Sequence, residues 1–100
     1  MREIEYERQL DINTRMRAQL RVARGQVSRF TVQIEVLAKN QWKPVVRYDT
    51  AHRFAHCDLY EPGGQVIKTE LKMTFEEALT HALKDLRDNW ESYRDKFLKG

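Results

Sequence analysis

Thr74, followed three residues later by Glu77, opens a run in which Phe75, Ala78, Leu79, Ala82, Leu83, Leu86, Trp90, Tyr93 and Phe97 recur at three- and four-residue steps. A hydroxyl at the helix cap and a carboxylate three positions on can each bond the other's backbone N–H, so a helix starts here. The spacing gives that helix one broad apolar face. Such a stripe is wide enough to cover a four-stranded sheet, and the preceding residues read as one. The expected fold is therefore a two-layer α+β domain with the wet or ligand-bound face of the sheet turned away from the helix.

The strands are read from alternation. In VSRFTVQIEVL, residues 27–37, Phe30, Val32, Ile34 and Val36 alternate with Thr31, Gln33 and Glu35, the pattern of a half-buried strand. WKPVVRYD, residues 42–49, is β-branched and aromatic, and Pro44 calls for an edge position or a bulge. RFAHCDLY makes a third strand, EPGGQ a turn and QVIKTEL a fourth strand, which completes an antiparallel meander. Glu3 to Arg24 is rich in good helix formers and ends at Gly25, so an N-terminal helix is expected and the order becomes αββββα. Residues 1–25 then form an arginine-rich helical arm and residues 26–100 the α+β domain.

With 33% charged residues and a single cysteine, Cys57, the chain offers neither a membrane span nor a disulfide framework. The charged opening MREIEYERQL is unlike a secretory signal, and the cytoplasm is the expected location. The formal net charge of +3 is unevenly placed. Residues 1–14 sum to -2, whereas Arg15, Arg17, Arg21, Arg24 and Arg29 meet no acid between positions 15 and 29. Forked guanidinium groups in such a cluster suit phosphates, which makes RNA an expected partner; a solvated, charged helix face is the other reading.

Chemistry concentrates between Arg47 and Tyr60. If a two-residue loop at Thr50 and Ala51 joins the second and third strands, Tyr48 faces Arg53, Arg47 faces Phe54, Val45 faces His56 and Lys43 faces Asp58. Arg47, His56, Asp58 and Tyr60 then share the open face, with Lys43, Val45 and Phe54, while Trp42, Val46, Tyr48, Ala55, Cys57 and Leu59 face the core. A longer loop is free to flip this assignment. Histidine exchanges protons near neutral pH, arginine holds phosphate and tyrosine stacks on bases, so the set can be read as a site for metal-independent RNA cleavage. It can equally be read as surface hydrogen bonding on a strand. His52 and His56 sit four apart outside a helix and without a second ligand cluster, which is not a metal-site pattern, and no glycine loop for a nucleotide cofactor is present. Neither metal nor cofactor is expected. Cys57 reads as a small buried hydrophobe and His81 as a boundary residue of the last helix.

Residues 45–61, VVRYDTAHRFAHCDLYE, followed by the helix EALTHALKDLRDNWESYRDKF, resemble a family of uncharacterised small prokaryotic proteins with the pattern R-Y-D-T-A-H-x-F-x-H-x-D. That likeness covers about residues 27–97. Arg47, Tyr48 and Asp49 with His52 and His56 also look like the core of TumE-type toxins of toxin-antitoxin pairs, although Thr50 stands where those have asparagine and the histidines are spaced HxxxH. Double-stranded RNA-binding domains share the element order only, since the last helix here opens with Glu76 and Glu77 where those carry lysines.

Two functions follow as expectations. In the first, Arg47 holds a phosphate, His52 or His56 exchanges the proton and Asp58 orients a histidine. Arg15, Arg17, Arg21, Arg24, Arg53 and Tyr60 then bind the RNA, and an antitoxin or other protein is the partner. In the second, the chain is a non-enzymatic interaction module that forms a homodimer.

Overall fold

A computed structural model of the chain describes residues 1–99, except for the side chain of His52. Six strands run in order: β1 (Arg2–Asp11), β2 (Thr14–Ala23), β3 (Gln26–Ala38), β4 (Gln41–Asp49), β5 (Ala55–Tyr60) and β6 (Val66–Leu71). A single helix, α1 (Phe75–Lys99), follows them. Each strand pairs antiparallel with the next, so β1 and β6 are the two edges of one meander. Among the described residues no helix is long and apolar enough to cross a membrane.

The α+β class is as expected, but the N-terminal helix is not there and the sheet has six strands rather than four. The stretch expected as a helical arm is the β1–β2 hairpin, continuous with the rest of the sheet. Its residues are good helix formers, yet Ile4 and Tyr6 alternate with Glu3, Glu5 and Glu7, and Met16, Ala18 and Leu20 alternate with Arg15, Arg17, Gln19 and Arg21. Only a strand places each of these sets on one side, and burial of Ala18 against β3 outweighs the small differences in helix propensity. Asp11 makes the turn by accepting the Asn13 N–H at 2.8 Å. The next two turns are Arg24–Gly25 and Lys39–Asn40, with φ of 53° and 73° and of 53° and 63°, the left-handed pairs that a tight hairpin requires.

Across the central strands the inward residues lie in rows. Ala18, Val32, Tyr48 and Cys57 form one, and Met16, Ile34, Val46 and Leu59 the next. Helix α1 lies on β3, β4 and β5 and adds Ala78, Ala82 and Leu86, each at most 1% exposed. Its start is the capping box foreseen in the sequence: Thr74 N–H donates to Glu77 at 2.9 Å, and Glu77 N–H to the Thr74 hydroxyl at 3.1 Å. Glu76 accepts the Val27 N–H at 2.9 Å and Arg94 donates to Asp11 at 2.6 Å, so both ends of the helix are tied to the sheet.

Its middle is tied by a polar cluster. Asp85 accepts the hydroxyl protons of Tyr48 and Tyr93, both at 2.6 Å, and an amide proton of Asn89 at 2.7 Å. Burial opposes ionisation of Asp85, but these hydrogen bonds outweigh it and hold the carboxyl below its ordinary value. Burial and the bond to Asp85 push both phenols well above their ordinary range. His81, on the same side of the helix, meets the Tyr48 ring edge-on at 5.8 Å.

One helix about 10 Å across covers only part of a sheet whose outer strands stand about 24 Å apart. On the β1–β2 side this leaves a cavity of about 640 Å³ lined by Tyr6, Arg8, Leu10, Met16, Leu83 and Trp90 among others. On the far side β6 is left uncovered, with Ile67 49% exposed.

Two predictions test the seam. Tyr48→Phe removes one donor to a charged acceptor and should lower unfolding stability by about 1–2 kcal/mol in urea titrations at neutral pH. Because the folded value of Asp85 lies below its usual 3.8, its contribution is present above that pH and lost as pH falls through the folded value. The gap between Tyr48→Phe and the parent protein should therefore narrow in titrations run below pH 3.8. Cys57, whose thiol is pushed up to about 11 mainly by burial, should react with iodoacetamide at pH 8 about a hundredfold more slowly in the folded protein than in urea.

Candidate functional site

On the side of the sheet away from α1, two rows are polar from edge to edge. Glu7, Arg17, Gln33, Arg47, Asp58 and Lys68 are successive cross-strand partners, one from each strand. A second row reads Glu5, Gln19, Thr31, Asp49, His56 and Glu70. Arg47, His56, Asp58 and Tyr60 thus share this face, as the alternation requires.

They do so in a different register from the one expected. Thr50 and Ala51 are not a two-residue loop; the chain passes through a short 3-10 turn, Ala51–Arg53, and Arg47 faces Asp58 while Tyr48 faces Cys57. The slip is four residues, an even number, so every side chain of β5 stays on its expected face. Trp42 and Lys43 do change sides. A bulge sets Ile34 opposite Val46 but Glu35 opposite Pro44, which throws Val45 out of the pairing and inverts the rest of β4. Proline, without an N–H to give the ladder, sits at this bulge.

The R-Y-D-T segment divides by direction. Arg47 points to the open face, while Tyr48 points to Asp85 under the helix. Asp49 accepts the Ala51 N–H at 2.5 Å, and the Thr50 hydroxyl accepts the Phe30 N–H at 3.0 Å and donates to the Phe30 carbonyl at 3.3 Å. Asp49 and Thr50 therefore build the corner, Tyr48 ties the sheet to the helix, and Arg47 lies on the open face.

Arg47 is half-buried. Its Nε donates to Gln33 Oε1 at 2.6 Å, and its guanidinium carbon lies 5.6 Å from the centre of the Tyr60 ring. Its terminal nitrogens make no hydrogen bond among the described residues, so two forks of N–H remain on the open face. Asp58, directly opposite and only 5% exposed, turns instead to Lys68 Nζ at 3.3 Å and His56 Nε2 at 3.9 Å. The other ring nitrogen of His56 is 3.4 Å from the Phe54 carbonyl. His52 belongs to the turn beside this group, but its side chain lies outside the described residues.

The arginines expected to bind nucleic acid are mostly engaged with acids. Arg15 donates to buried Glu35 at 2.6 Å, lies 3.5 Å from Glu7 and stacks on Trp42 at 4.0 Å. Arg17 sits 3.9 Å from Glu7 and 3.8 Å from Glu35, and the Nε of Arg21 donates to Glu3 at 3.0 Å. Arg24, in the β2–β3 turn, and Arg53, at the end of the 3-10 turn, are exposed. Gln33 and Glu35, which the sequence reading treated only as the polar half of a strand, prove to join the two groups: Gln33 accepts from Arg47 and donates to Glu35. Their signal was present in the alternation of QIEV, whose polar positions had to fall on the face of Arg47.

The chain belongs to the family described as a domain of unknown function (DUF7718), whose match spans residues 1–100. No curated protein and no solved structure matches it.

Proposed function

We propose that the open face engages RNA and cleaves it without a metal, in the manner of the toxin of a toxin-antitoxin pair. The observation that carries this reading is the Arg47 guanidinium, held at Nε by Gln33 and flanked by Tyr60, His56 and Asp58, with its terminal N–H groups unbonded among the described residues. A fork of N–H donors suits two phosphate oxygens, and a tyrosine beside it suits a stacked base. The likeness of the Arg47–His56 segment to TumE-type toxins points the same way.

Each residue has a role in this chemistry. The 2′-oxygen of the RNA attacks phosphorus as the bond to the 5′-oxygen breaks, leaving a cyclic phosphate and a free 5′-hydroxyl. His56, its Nε2–H turned to Asp58, takes the 2′-hydroxyl proton at Nδ1, which gives up its contact with the Phe54 carbonyl to the substrate, and water protonates the departing oxygen. Arg47 stabilises the charge that gathers on the phosphoryl oxygens. Asp58, approached by Lys68 at its other oxygen, orients the ring of His56. At 3.9 Å this is an ion-pair separation, which substrate must tighten to a hydrogen bond. An antitoxin covering the same face would switch the site off.

The test combines binding and cleavage on a short labelled single-stranded RNA. Affinity should fall with salt, and Arg47→Ala should weaken binding and reduce the salt slope by about 1. His56→Ala should bind as the parent does but leave the RNA intact, and the parent should cleave in excess EDTA. Binding that ignores both salt and Arg47→Ala overturns the RNA reading; binding without cleavage, or cleavage by His56→Ala, overturns the catalytic part.

A further inference from the structure

We infer that β6 is a dimerisation edge, along which two copies of this chain pair antiparallel about a twofold axis at Thr69. The strand is exposed from Val66 to Glu70, and α1 lies over β3 to β5. Its outer backbone groups have no strand beside them, and Val66 and Ile67 remain 40% and 49% exposed.

The side chains select the occupant. In an antiparallel pair, directly opposed residues share a face, so self-pairing centred on Thr69 sets Lys68 of each copy against Glu70 of the other and Ile67 against Leu71. Symmetry makes each contact twice, the charged pair on the open face and the apolar pair on the helix side. The neighbouring in-phase centres set Lys68 or Glu70 against itself. The other edge behaves in the opposite way: Glu3, Glu5 and Glu7 share one face of β1, and self-pairing centred anywhere among them opposes glutamate to glutamate.

A twofold axis perpendicular to the sheet keeps both helices on one side, and because each lies over β3 to β5 they do not collide. The contact is closed, so assembly stops at two. It goes beyond the RNA reading and holds whether or not the open face binds RNA, although it would place both Arg47 sites on one continuous surface, each two strands from the seam.

Sedimentation of the full chain over about 10–500 µM, a range suited to a contact this small, should show the mass rise from 12.0 kDa towards twice that value. K68E and E70K each put like charges at both opposed positions and should weaken association about tenfold or more, whereas an equimolar mixture of the two restores opposite charges and should form the mixed dimer. E70K leaves Lys68 beside Asp58, so it reports even where K68E fails to fold. Amide exchange needs no variant: β6 amides should slow with rising concentration while those of β1 do not. A parent chain that stays monomeric, growth beyond two copies, E70K associating as tightly as the parent, or β6 exchange independent of concentration would each overturn the assignment.

Discussion

One helix cannot cover six strands, and the rest of the molecule is arranged around that shortage of cover. Helix α1 is placed where it removes most apolar surface from water, over the rows that include Val32, Ile34 and Val46, all fully buried. Among the described residues no element lies against the opposite face, and its polar side chains satisfy one another sideways. Glu35 and Asp58 are buried there only because long cations from neighbouring strands lie over them, Arg15 for the first and Lys68 for the second. A carboxylate in that position without its cation would be an unpaired buried charge. The open face is therefore rigid in composition: removing one member strands another.

The same sideways pairing takes up much of the charge of the arginine-rich stretch. Of its five arginines, Arg15, Arg17 and Arg21 are met across the sheet by Glu3 and Glu7 of β1 and Glu35 of β3, while Arg24 and Arg29 make no ion pair among the described residues. Charge summed along a segment overstates what is free when strands pair, and here the segment spans β2, a turn and the start of β3.

Much of the fold was legible because alternation is insensitive to the errors made. The β4–β5 register was off by four residues, yet β5 kept its faces, since period two forgives even slips. Trp42 was lost because a bulge shifts by one, and although Pro44 signalled a bulge its position could not be read. The N-terminal hairpin was missed for a different reason. Its apolar positions are interspersed with strong helix formers, only Ala18 among them is fully buried, and its first turn, Asp11 to Thr14, contains no glycine. Propensity then outvoted a faint alternation. The Asp85 cluster was hidden because His81, Asp85, Asn89 and Tyr93 at four-residue steps resemble the margin of an apolar stripe, and only the pairing of Tyr48 across the seam reveals what the carboxylate is for.

What distinguishes Arg47 from the other arginines is the neutrality of its partner. Arg15 meets a carboxylate, and its charge is spent inside the sheet. Gln33 instead offers Arg47 a carbonyl oxygen and passes its own N–H to Glu35, so the arginine is oriented without being neutralised. A glutamate at position 33 would have closed the row with one more ion pair and left the face electrically quiet. The amide thereby holds a positive fork outward among neighbours fixed by their own pairing, its terminal nitrogens making no hydrogen bond among the described residues.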